Sequence, residues 1–87
     1  MNFFFDNNLS LHLAHAIREL CRVEPDVGEV IHLRDRFTAN TKDHEWITAL
    51  AQSGAWGVIS QDVFTKNDLE REALRQSGLI VFVLDRQ

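Results

Sequence analysis

Short apolar runs alternate along this chain with longer segments in which apolar residues recur every three or four positions. Consecutive apolar residues, four to eight long, are the pattern of a strand covered on both faces. "NFFF" (residues 2–5), "GEVIHL" (strand at 29–33), "WGVIS" (56–60) and "LIVFVL" (79–84) predict four such strands. Between them, "SLHLAHAIRELCR" predicts a helix over 10–22, with Leu13, Ile17, Leu20 and Cys21 as its buried stripe and Ser10 as N-cap. "KDHEWITALAQSG" predicts a second over 42–54, with Thr41 as cap, Asp43 and Glu45 in the first turn, and Gly54 ending it. "NDLEREALRQSG" predicts a third, capped by Asn67 or Asp68 and closed by Gly78. "RDRFTANT" (34–41) is too polar for either pattern and is expected to be a loop.

Strands alternating with helices imply a parallel sheet, because each strand must be carried back by a crossover. The expected fold is an α/β three-layer sandwich with a small parallel, Rossmann-like sheet. With strand order 2-1-3-4, the order reverses between the first and third strands. In open parallel sheets, ligands bind beyond the carboxyl ends of the strands at such a reversal. Asp6 follows the first strand and Asp62 the third, so the two would face each other across that crevice. Asp43, at the start of the second helix, can approach the same edge. Three converging carboxylates repel one another, and hard divalent cations such as Mg²⁺ or Mn²⁺ relieve that repulsion.

Composition narrows the setting. The 87 residues suffice for one domain, 1–87, near the lower limit for a single core. No run approaches the ~18 apolar residues of a membrane span, and no signal peptide is visible. One cysteine, Cys21, excludes an internal disulfide and fits the cytoplasm. A net charge of −4 argues against a broad nucleic-acid-binding surface, but not against an acidic site whose cations meet phosphate. Arg34, Arg36 and Lys42 bracket the polar loop and could steer an RNA backbone, although solvated surface charge accounts for each singly.

"FFFDNNLSLHLAHAIREL", "DHEWITALAQSGAWGVISQD" and "EREALRQSGLIVFVL" together resemble the small PIN-like domains, relatives of PIN ribonucleases often found as toxins of bacterial toxin–antitoxin pairs. The D-[EN]-N-L motif of that family matches Asp6, Asn7, Asn8 and Leu9. Its mid-chain acidic position matches Asp43, and its strand-end S/T-x-D matches Ser60, Gln61 and Asp62. The resemblance implies an Mg²⁺- or Mn²⁺-dependent endoribonuclease. Asp6, Asp43 and Asp62 would be the catalytic metal ligands, with Asn7, Asn8, Ser60, Glu45, Lys42 and Arg34 around them or toward substrate. The implied partners are RNA and an antitoxin. Two departures stand out: Val63 and Phe64 stand where many relatives have a second strand-end acid, and many relatives continue past the last strand, so this chain is expected to be a fragment or a trimmed member with impaired activity.

Each of these residues also has a plainer account. Asp6, Asn7 and Asn8 could cap the first helix, Asp43 and Glu45 could complement a helix dipole, and Asp62 could open a turn. On that account the chain is an inactive PIN-like interaction module. His12 and His15 lack the companions of a zinc site, and His32 reads as a satisfied interior histidine. Trp46, Trp56 and Cys21 read as core. The apolar last strand, at a sheet edge, is expected to be covered by a second copy of the chain or by an antitoxin.

Overall fold

A computed structural model describes residues 1–61 and 68–84, with backbone alone for 68–70. Its elements are β1 (Asn2–Phe5), α1 (Leu11–Leu20), β2 (Val30–His32), α2 (Leu33–Arg36), α3 (Asp43–Ala51), β3 (Trp56–Ser60), α4 (Asp68–Ser77) and β4 (Ile80–Val83). A 3₁₀ turn, Cys21–Val23, prolongs α1. The strands form one parallel sheet in the order β2-β1-β3-β4, as the alternation predicts. Phe4 pairs with Ile31 on one side and Val58 on the other, so β1 is central. Among the described residues no helix is long and apolar enough to cross a membrane.

Because side chains alternate along a strand, the three phenylalanines of β1 serve two cores. Phe4 joins Trp46, Ile47 and Leu50 of α3, with Leu33, Trp56 and Val58. Its ring stacks on Trp46 at 4.7 Å and meets the edge of Phe37 at 6.1 Å. Phe5 joins Leu9, Ala14 and Val30 on the opposite face, under α1. Burying a phenylalanine stabilises by about 1.5–3 kcal/mol, so Phe4 and Phe5 are principal anchors of the sheet. Gly54 and Gly78, after α3 and α4, have φ of 120° and 74°, where L side chains are strained.

Three expectations need correction. The buried stripe of α1 is not the predicted one: Ala14 is fully buried, whereas Leu13 and Leu20 are 41% and 75% exposed. Ile17 and Cys21 do pack against the core. Second, β2 ends at His32, and residues 33–36 of the supposed strand end and loop form a short helix. Its first turn is held by His32, whose Nδ1 accepts from Arg34 N–H (3.1 Å), and by Asp35, whose Oδ2 accepts from His32 N–H (2.8 Å). Third, α3 begins after Lys42 rather than at a Thr41 cap. Lysine has no acceptor, so the cap rests on Glu45 Oε1, which accepts from Lys42 N–H at 3.2 Å. Thr41 instead bonds Thr38. The expected caps of the last helix at Asn67 and Asp68 fall on residues whose side chains lie outside the description.

Candidate functional site

Asp6 sits at the carboxyl end of the central strand. Its N–H donates to Ile59 O at 2.9 Å, carrying the β1–β3 ladder one residue further and fixing Asp6 at the point of reversal. It is 5% exposed, and Ser60, at the end of β3, is fully buried beside it. The Ser60 hydroxyl donates to Asp6 Oδ2 (2.9 Å), and Asn7 N–H donates to Oδ1 (2.7 Å). Burial disfavours a carboxylate unless donors surround it, and these two supply that compensation. Sequence spacing does not bring the Ser60 contact to light: Asp6 and Ser60 are 54 positions apart.

Asn8 ties the strand ends together. Its amide donates to Ser60 Oγ (3.2 Å), and its carbonyl accepts from Gln61 N–H (3.2 Å). Asn7 points the other way, donating to Ala39 O (3.4 Å) and drawing the 37–42 loop toward the site. The turn from Asp6 to Leu9 closes through Leu9 N–H on Asp6 O at 3.0 Å. The D-N-N-L stretch is therefore more than a helix cap; Ser10 caps α1, accepting from His12 and Leu13 N–H.

The other expected residues divide. Asp43 starts α3, and its Oδ1 accepts from Trp46 Nε1 (3.0 Å), so one oxygen is engaged in holding the indole over Phe4. Glu45 caps α3. Lys42 and Arg34 are exposed. Arg36 pairs with Glu29 (2.9 Å) and lies over the Trp56 ring at 5.3 Å. Asp62 lies outside the described residues. Among those described, no three His, Cys, Asp or Glu side chains gather as a metal cluster.

Sequence reasoning missed a second network beside the first. His32, fully buried, donates from Nε2 to Leu9 O at 2.7 Å, since a carbonyl can only accept; its Nδ1 is then the acceptor for Arg34. The histidine thus joins the turn after β1 to the first turn of α2. Asp35 extends the network to His15 Nε2, at 2.8 and 3.0 Å from its two oxygens. Burial alone would raise the Asp35 carboxyl. The His32 N–H bond, the bond and charge of His15, and the charge of Arg18 outweigh it and hold the group below the ordinary carboxylate range. The signal was present as His-x-x-Asp at a strand end, the spacing of a capping box with imidazole as the unusual acceptor.

No curated protein and no solved structure matches the chain. A family model does, that of the PIN-like domain, over residues 1–86. With a central β1 that ends in a buried aspartate, and a serine of β3 donating to it, this chain belongs to the PIN-like domain family.

Proposed function

We propose that the chain is an Mg²⁺- or Mn²⁺-dependent endoribonuclease of the PIN-like class, acting in the cytoplasm as the toxin of a toxin–antitoxin pair. The family is nuclease-related. The observation that carries the reading is Asp6: a carboxylate held almost out of water at the strand-order reversal, in one orientation, by Ser60 and Asn7. A helix cap needs no such burial.

The donors suit a hard cation. Asp6 and Asp43 offer carboxylate oxygens and Ser60 a hydroxyl, and Asp62 would add a third carboxylate. When bound, the cation supplies Lewis acidity toward a phosphodiester and the water that attacks it. Asp6, Asp43 and Asp62 would hold it. Ser60 and Asn8 keep Asp6 in place, and Asn7 holds the 37–42 loop against the site. Lys42 and Arg34 offer positive charge to the RNA backbone.

The test is cleavage of a single-stranded RNA with and without Mn²⁺. Loss of a residue that orients a metal ligand costs about 10–100-fold, so Ser60→Ala should slow cleavage by that factor, and Asp6→Asn by at least ~100-fold. Circular dichroism should show both variants folded. Parental rates for Asp6→Asn, or cleavage that survives chelation, would refute the reading and leave an interaction module in its place.

A further inference from the structure

Trp46 reads as core from the pattern of α3, and it is fully buried. One end of its ring is polar all the same. An indole N–H can only donate, and a buried one needs an acceptor. Trp46 Nε1 donates to Asp43 Oδ1 at 3.0 Å, one turn back at the start of α3. The second oxygen of that carboxylate, Oδ2, accepts from no described residue.

The donor itself is held from behind. The Trp46 ring stacks on Phe4, with centroids 4.7 Å and planes 26° apart. Phe4 lies two residues before Asp6, and alternation puts both on one face of β1. Val58, paired with Phe4, shares that face with Ser60, two residues further on, which is how the Ser60 hydroxyl meets Asp6. The crossover from β2 to β3 carries α3 back against the strand direction, so α3 starts at the carboxyl end of the sheet. The Phe4–Trp46 stack is a common level for the two carboxylates. Asp43 stands three residues above it on the helix, about 4.5 Å, and Asp6 two residues above it on the strand, about 6.6 Å. Both thus rise from one aromatic pair to a similar height on one face.

We infer that Trp46 is a positioning residue for the cation site: its indole N–H fixes the Asp43 carboxylate by Oδ1 and leaves Oδ2 as the oxygen that binds the divalent cation. The inference rests on the metal-dependent reading above. A donor on one oxygen restricts rotation of the carboxylate, so less freedom is lost when the other binds. Through the stack on Phe4, β1 sets the place of both acids, Asp6 directly and Asp43 by way of the indole. Satisfying the indole would by itself require only an acceptor, and an asparagine amide would serve that purpose as well as a carboxylate.

Mn²⁺ titration followed by electron paramagnetic resonance tests this without RNA. Asp43→Asn removes the charge and keeps an acceptor for the indole; Trp46→Phe keeps a ring on Phe4 and removes the N–H. Trp46→Phe should weaken Mn²⁺ binding about 10-fold, and Asp43→Asn more strongly. In the Asp43→Asn background, Trp46→Phe should add nothing, as expected of two residues acting as a unit. Parental binding in Trp46→Phe overturns the inference and leaves the metal site standing. An equal further loss in the Asp43→Asn background overturns it too, since the ring would then act by packing alone. Parental binding in Asp43→Asn also overturns it, and if Asp6→Asn is parental as well, the metal reading falls with it. The folded parent supplies a second measurement that needs no variant at Trp46. Its two indole N–H resonances are told apart by Trp56→Phe, and Trp56 donates to Ser53 Oγ (2.9 Å) at the far end of β3. Saturating Mg²⁺ should move the Trp46 resonance and leave that of Trp56 in place; a Trp46 resonance indifferent to Mg²⁺ overturns the inference.

Discussion

His32→Leu removes the imidazole while keeping an apolar side chain of similar size in a fully buried position. Two groups lose their partner. The Leu9 carbonyl belongs to a residue only 8% exposed, so it pays the full penalty of a buried, unpaired acceptor, about 1–3 kcal/mol. The Arg34 N–H lies at the mouth of α2, where water can reach it, and losing its cap costs about 0.5–1 kcal/mol. The sum is about 2–4 kcal/mol. A domain of this length has roughly 4–13 kcal/mol in all, so the variant forfeits a large share. At about 4–8 °C per kcal/mol, the melting temperature should fall by roughly 8–32 °C. Urea unfolding of parent and variant measures the difference directly. His32→Gln, which retains a donor and an acceptor, should recover part of the loss. Combining His32→Leu with Asp35→Ala should cost less than the two separately, since both act on the first turn of α2. A loss below ~0.5 kcal/mol for His32→Leu would mean that the Leu9 and Arg34 contacts are not what hold that turn.

Asp35, its carboxyl held low in the fold, contributes stability that is fully present above its unfolded pKa of about 4 and is lost as pH falls through the lower folded value. Urea midpoints from pH 7 down to about 2 should therefore decline less for Asp35→Asn than for the parent, and coincident profiles would refute the assignment. Gly28 lies where a Cβ would collide with Asn2 Oδ1, the acceptor for Glu29 N–H at 2.8 Å. Gly28→Ala should cost about 1–3 kcal/mol by displacing that acceptor, measured by thermal unfolding, whereas a neutral change would show that Asn2 relocates without loss.

Strand content and order were legible because both follow from coarse pattern. Runs such as "FFF" can only be buried on two faces, and the βα alternation leaves few ways to connect parallel strands. Asp6 could be placed at the point of reversal for the same reason. The hydrogen bond from Ser60 to Asp6 could not, because spacing along the chain says nothing about which rotamers meet across a ladder. The short α2 was illegible for a different cause: its cap is an imidazole, and its four residues are too few to show a helical period. The stripe of α1 misled because its apolar residues exceed what one buried face needs. Periodicity finds an apolar stripe but cannot say that Ala14, the smaller residue, is the one pressed against the sheet.

The pairing of β1 with β3 also sets a clock. Phe3 meets Gly57 and Phe5 meets Ile59, so each contact of the central ladder closes a loop of more than fifty residues. Loop closure must come before such contacts give anything in return, so this ladder carries the largest closure cost in the sheet. On a ribosome adding about 5–20 residues per second, the three phenylalanines wait several seconds for their central partner to be made. During that interval Asp6 has neither Ser60 nor Asn8's anchor across the crevice. A nascent chain that has not yet delivered Ser60 therefore cannot hold the Asp6 carboxylate as the fold does, and meanwhile it offers its greasiest segment to chaperones.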